Sequence, residues 1–173
     1  MWQKLIACAC VMTGAVGFGY AVCREMSCEI QHLKLQKQIV SYMTGEITYL
    51  RRPMEEVLDI ISERVEAPYD TFLEDVSLKM KERNGMGLRD LWKREVDGLR
   101  SESGLSDKAL NYLEKMAGCF GCEGDLLQVE ALGIFERELD VEIDRLLGRK
   151  EENGRLIRAL SALVGIFCIV FFL

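Results

Sequence analysis

Leu5 to Cys23 is a run of 19 residues without a charge, closed by Lys4 on one side and Arg24 on the other. As a helix it is roughly 28 Å long, close to the hydrocarbon thickness of a bilayer. A second charge-free run of 15 residues extends from Ala159 to Leu173. It gives only about 22 Å, but Leu156 and Ile157 extend it to roughly 27 Å if Arg158 snorkels to the headgroups. Both runs read as transmembrane helices, over residues 5–23 and 156–173. For the first, the alternative is a cleaved signal peptide. Its basic region would be one lysine, and no clean Ala-x-Ala site follows. For the second, the alternative is a buried core helix. Ile169-Val170-Phe171-Phe172-Leu173 is apolar on every side, which suits lipid better than a packed soluble core.

Residues 24–155 hold all 28 acidic and 20 of the 22 basic residues, so this segment carries −8. Arg24, Lys34 and Lys37 follow the first span, and Arg149, Lys150, Arg155 and Arg158 crowd the second. The Lys/Arg bias places the middle of the chain in the cytoplasm, with both termini across the membrane. Basic edges on an acidic body also suit an anionic leaflet. The same acidic balance argues against nucleic acid as a partner, which would require a basic face.

The acidic segment reads as all-α, a helical bundle between the two transmembrane helices. Period-2 runs of β-branched residues are missing, whereas helical spacing recurs. Val40, Met43, Ile47 and Leu50 step by three and four, so the first helix is expected to continue to about residue 50. Pro53 suits the first turn of a second helix, with Glu55 and Glu56 near its positive end. Met54, Val57, Leu58 and Ile61 form its stripe, and Pro68 breaks it. Asp70 is the expected cap of a third helix that buries Phe72, Leu73, Val76 and Met80. Asn84-Gly85-Met86-Gly87 is a loop. Leu88, Leu91, Trp92 and Val96 mark a short fourth helix, and Ser103-Gly104 is a break. Ser106 caps a fifth helix carrying Leu110, Leu113 and Met116. A last helix starts near Gly124, carries Leu132, Phe135, Leu139, Ile143 and Leu146, and can run unbroken into the second span. Ala15 and Gly19, and Ser161 and Gly165, are four apart. Such pairs let membrane helices approach closely, for pairing of the spans or for self-association.

Few residues promise chemistry. Cys119-Phe120-Gly121-Cys122 is a CxxC, but no second pair exists to complete a zinc site and the surroundings look helical. A turn between two helices is the plainer reading. The other cysteines lie in or near the spans and act most simply as small apolar residues. Glu29 and His32 have the spacing of di-iron bundles, yet the chain has one histidine, which leaves at most half of such a site. Asp140, Glu142 and Asp144 alternate like a calcium loop, but Arg145 occupies the place of the required glycine. Glu142–Arg145 and Glu151–Arg155 pairs on a solvated helix face explain these charges. No Walker or dinucleotide motif is present. The expectation is no catalytic residue, no cofactor and no metal.

Glu46-Ile47-Thr48-Tyr49 followed by Pro53-Met54, the Trp92 helix with Leu88-Arg89-Asp90-Leu91, Phe120-Gly121 with Gln128, and Asn153-Gly154-Arg155-Leu156-Ile157-Arg158 followed by Leu160 and Gly165 all lie in one order. Together with the layout of span, acidic domain and span, they resemble the stage III sporulation protein AB family of endospore-forming bacteria. The resemblance covers the whole chain. Ala117 replaces a glycine of the family pattern, Gly124 stands where an aspartate should be, and Ser161 replaces a glycine in the last span.

The resemblance implies structural roles for Tyr49, Pro53, Trp92, Gly121, Gln128, Gly154 and Gly165. Tyr49 and Pro53 would shape the corner between the first two helices. Trp92 would fill the core with its N–H bonded, and Gln128 would satisfy backbone groups where the fifth helix turns into the last. It further implies a non-enzymatic platform of a secretion-like complex in the bacterial cell membrane, in the mother cell and facing the forespore. That platform is similar to the inner-membrane platforms of type II secretion, and its cytoplasmic domain would dock an ATPase among other subunits. Two rivals differ in class. One is a membrane-anchored redox or metal protein using Cys119 and Cys122. The other is a secreted anchor protein that has lost its first span.

Overall fold

A computed structural model describes residues 2–50, 52–82, 85–102, 104–120 and 124–172, with side chains described at 14, 17, 19–50, 52–82, 85–101, 104–120, 124, 126–157 and 159. The elements are α1 (Trp2–Gly45), a π-helical turn (Glu46–Leu50), α2 (Met54–Ser62), α3 (Tyr69–Lys81), α4 (Leu88–Glu102), α5 (Asp107–Met116), a 3-10 turn (Ala117–Cys119) and α6 (Asp125–Phe172). The fold is all-α, with no strand among the described residues. Also among the described residues, no helix is long and apolar enough to cross a membrane. Most side chains of the predicted spans, 5–23 and 156–173, lie outside those described.

The chain divides into two compact units, one of Met1–Ile30 with Ile143–Leu173 and one of Gln31–Glu142. In the first unit the ends of α1 and α6 lie side by side. Gly19 is buried, and a Cβ added there would stand 2.8 Å from Cδ1 and 2.9 Å from Cγ1 of Ile157. The absence of a side chain at Gly19 is what permits this approach. Asn153 Nδ2 reaches Met26 Sδ at 3.4 Å. The other three small residues, Ala15, Ser161 and Gly165, lie outside the described side chains.

In the second unit α2 packs on α3, α3 on α4, and α4 on α5 and the 3-10 turn. Most of each stripe that the spacing defines is buried, with Met54, Met80 and Leu88 half-buried. Leu33, Gln36, Val40, Met43 and Ile47 are the buried line of α1 and the π-turn, Val57, Leu58 and Ile61 that of α2, and Leu132, Phe135 and Leu139 that of α6. Burying a side chain of this size contributes about 1.5–3 kcal/mol, so these stripes supply the main drive to fold.

The helix ends show where expectations hold and where they shift. Ser106 Oγ accepts the N–H of Ala109 at 3.2 Å, a side-chain cap for α5. The Pro53 carbonyl accepts the N–H groups of Glu56 and Val57, so Pro53 caps α2 from just outside the first turn. Asp70 is not the cap of α3. The helix begins at Tyr69 after Pro68, and Asp70 lies in its first turn, where Oδ1 accepts the N–H of Thr71 at 2.6 Å. Tyr69 is fully buried, and drawing its ring into the core starts the helix earlier. Leu50 also departs from its expected place and is 55% exposed. The π-turn at Glu46–Leu50 changes the phase of the helix and turns Leu50 off the stripe that Val40, Met43 and Ile47 follow.

Candidate functional site

The centre of the helical unit is aromatic. Trp92 on α4 is fully buried, and its Nε1–H donates to the Leu113 carbonyl on α5 at 2.8 Å. Phe72 meets the indole edge-on, with ring centroids 4.8 Å apart, and Phe120, the residue after the 3-10 turn, covers it at 4.9 Å. Three elements therefore converge on one side chain. Edge-to-face pairs of this kind add about 0.5–1.5 kcal/mol beyond the area they bury.

A polar tie runs beside this cluster. Gln36 of α1 has no exposed surface, and its Nε2 donates to the Tyr69 hydroxyl at 3.1 Å and to the Ala109 carbonyl at 2.7 Å. One amide thus links α1, α3 and α5. His32, one turn earlier on α1, stands with its ring 5.9 Å from that of Tyr69. Burial lowers its pKa from the ordinary 6.5, because the protein side loses water around the charged form. The sequence reading missed Gln36. The signal was present, since Leu33, Gln36, Val40 and Met43 step by three, four and three, but a glutamine between two lysine-flanked positions reads as surface.

The corner between α1 and α2 is electrostatic. Glu46 pairs with Arg52 at 3.6 Å and with Arg64 at 3.7 Å, and the Arg64 guanidinium lies 5.7 Å from the Tyr42 ring centre. Tyr49, expected to shape this corner, is 84% exposed. It follows buried Ile47 by two residues, which places it on roughly the opposite side of the helix. The α2–α3 junction is tied by Ser77 Oγ, which donates to the Glu55 carbonyl at 2.9 Å, and by Lys81, which pairs with Asp59. Burial raises the Asp59 pKa, but the hydrogen bonds from Lys81 and Ser77 outweigh it and hold the carboxyl below the ordinary value.

Three lysines fasten α6 to its neighbours. Lys37 reaches Asp140 at 2.6 Å, Lys108 reaches Glu142 at 2.8 Å, and Lys115 pairs with Glu138. The hydrogen bond that Lys115 donates to Glu138 raises the Lys115 pKa. Asp140 and Glu142 are therefore engaged with lysines of two different helices, which accounts for the charges that imitate a calcium loop. Arg155 and Glu151 form the expected pair at 3.5 Å. Among the described residues no group of three or more His, Cys, Asp or Glu is placed to hold a metal ion.

Cys119 is buried, with its Sγ 3.7 Å from the Ala131 carbonyl. Gly121 and Cys122 lie outside the described residues. Gln128 is half-buried in the first turn of α6, and its N–H donates to the Gly124 carbonyl at 3.2 Å. Gly124 has φ +112°, a conformation that disfavours a side chain, so glycine suits this turn where an aspartate would be strained. A Cβ at Gly154 would meet nothing within 4 Å. Gly165 belongs to the α6 backbone, and its side-chain surroundings are not among those described.

The family model described as stage III sporulation protein AB matches residues 4–173. The chain belongs to that family. A solved structure titled "Stage III sporulation protein AB (SpoIIIAB)" has a similar fold, with a TM-score of 0.61 at 12% identity, over 70% of this chain and 94% of that one. At such identity the likeness is one of fold. No curated protein matches the sequence. Stage III sporulation protein AB membership places the chain among sporulation proteins. The indole of this member is a core residue that joins α4 to α5.

Proposed function

We propose that this sporulation protein is a non-enzymatic platform subunit of a secretion-like complex. Residues 5–23 and 156–173 would hold it in the bacterial cell membrane, and the acidic domain would lie in the mother-cell cytoplasm, facing the forespore. There it would dock an ATPase and other subunits of the complex. The observation that carries this reading is the family match along residues 4–173, which takes in both apolar ends and the acidic helices between them. The interior polar groups support it. Gln36, Tyr69 and the Trp92 N–H bond to one another or to backbone, and Ser77 and Lys81 tie α3 to α2. These bonds hold helices together, as a scaffold requires. The Cys119 thiol faces a carbonyl inside the fold, so it favours no redox role.

Deleting the gene in the native host and counting heat-resistant spores tests the reading. The expected result is a large loss of spores, restored by the intact chain and equally by a Cys119→Ser/Cys122→Ser chain. Normal spore counts in the deletion strain would sink the platform role. Failure of the double-serine chain alone, with its level in the membrane unchanged, would turn attention back to the thiols. Docking is tested by affinity purification of the full chain from sporulating cells, with the ATPase expected to accompany it.

A further inference from the structure

Helices α3 and α4 pack side by side, and Lys79 of α3 crosses the seam between them to Glu95 of α4 at 2.6 Å. A hollow opens on each side of this ion pair, and Glu95 lines both. One, of about 230 Å³, is lined by Met80, Met86 and Leu91 together with Arg94. The other, of about 290 Å³, lies over Phe72 and is lined by Pro68, Asp75, Gly98 and Leu99. Arg94 and Asp75 are both exposed, and among the described residues neither forms an ion pair. One cleft thus carries an unpaired positive charge in one half and an unpaired negative charge in the other.

Gly98 keeps the second hollow open. It stands inside α4, where a glycine costs about 1 kcal/mol relative to alanine. A Cβ at this position would meet nothing within 4 Å. Packing within the chain therefore does not require a glycine here. Its effect is to leave bare backbone in the wall of the cleft, where another molecule gains close approach.

We infer that the α3–α4 cleft takes a helix of another protein, one that presents an acidic, an apolar and a basic side chain in that order on one face. The apolar side chain, a Leu or Met, enters the methionine-lined hollow, whose flexible thioethers adapt to its shape. The acidic side chain meets Arg94. The Lys or Arg enters the hollow at Gly98, with its stem against Pro68 and Leu99 and its charge on Asp75. Met80 and Asp75 are about 8 Å apart along α3, and Leu91 and Gly98 about 10 Å apart along α4. Residues seven apart on one helix face span such a distance. The cleft is concave, so the same cleft on a second copy does not fill it. The charges at its two halves select the sequence that does.

Fluorescence anisotropy tests the inference on the full chain in detergent micelles. The probe is a labelled alanine-based helical peptide carrying a glutamate, a leucine four positions later and a lysine seven positions beyond the leucine. Saturable binding is expected. Asp75→Lys should weaken it about tenfold, and a peptide with glutamate in place of its lysine should recover the loss. Gly98→Leu should fill the cleft and abolish binding, while the melting temperature holds or rises because leucine favours helix. Absence of saturable binding would overturn the inference, and so would binding that Gly98→Leu leaves unchanged. A dimer of the full chain that Gly98→Leu dissociates would seat a second copy in the cleft and equally overturn it. In sporulating cells the Gly98→Leu chain, at its normal level in the membrane, should fail to restore spores to the deletion strain, an arm that rests on the platform reading above. Full restoration by that chain would count against the cleft and leave the platform role standing. Normal spores in the deletion strain itself would instead sink the platform role, with peptide binding still deciding the cleft.

Discussion

Gln36 and Ala109, 73 positions apart in the chain, are joined by a 2.7 Å hydrogen bond from the buried Gln36 amide to the Ala109 carbonyl. The same amide donates to the Tyr69 hydroxyl, so α1 is fixed against α3 and α5 at one point. Removing it as Gln36→Ala takes away both bonds and leaves a void, a loss of about 2–4 kcal/mol. Gln36→Met fills the space without donating and should cost less than the alanine. Chemical denaturation of the full chain in detergent micelles, followed by helical circular dichroism, gives both values. Equal stability of all three chains would mean that the amide is incidental.

Trp92 joins packing and hydrogen bonding in one side chain. Trp92→Ala should lower stability by about 3–5 kcal/mol, because it empties the space between Phe72 and Phe120. Trp92→Phe keeps much of that volume and loses the bond to Leu113, so its cost should fall nearer 1–3 kcal/mol. Fluorescence isolates the effect further. Trp2 remains as the only other tryptophan, and a blue-shifted emission component should vanish with either substitution.

Gly19 and Ile157 should behave as a coupled pair. Gly19→Ala places a methyl 2.8 Å from Ile157 Cδ1, and overpacking of this sort costs about 1–3 kcal/mol. Ile157→Ala removes the obstructing atoms, so the double variant should be more stable than the sum of the single effects predicts. A double-mutant cycle on thermal unfolding measures the coupling, expected at about 0.5–3 kcal/mol. Strict additivity would show that the two helices do not meet here.

Two glycines should respond in opposite directions. Gly124→Ala meets no atom within 4 Å, yet φ +112° strains any side chain, so a loss of about 1–3 kcal/mol is expected from the backbone alone. Gly154→Ala lies in helix with open space around it and should stabilise by up to about 1 kcal/mol. If Gly154→Ala keeps its stability but fails to support sporulation, Gly154 belongs to a contact surface outside this chain.

His32 makes stability depend on pH below neutrality. Its folded pKa lies below the ordinary 6.5, so the unfolded chain binds the proton first. The contribution is present above about pH 6.5 and is lost as pH falls through the folded value. The melting temperature should drop between pH 7.5 and 5.5, and part of that drop should disappear in His32→Asn. As the chain has one histidine, its ring protons titrate alone in an NMR spectrum. A midpoint at or above 6.5 would contradict the assignment.

By itself the sequence determined what is local or periodic. The 3.6-residue repeat selects helices and their inner faces, which is why Leu132, Phe135 and Leu139 were legible as core. The Ser106 cap was equally legible, because a hydroxyl before a helix acts on its own few residues; the second helix, by contrast, ends at Ser62, six residues short of the proline expected to break it. The family resemblance lay in short motifs strung in order and needed no tertiary information. Only the tertiary structure decided the rest. Gln36 is interior because α3 and α5 bring it a hydroxyl and a carbonyl from remote parts of the chain. Tyr69, and not Asp70, opens its helix because the core takes its ring. The π-turn alters the phase after Gly45 and leaves Leu50 in water, against its apparent periodicity. Leu127, Ile134 and Val141 of α6 are exposed because the bundle packs against the face that carries Leu132 and Leu139.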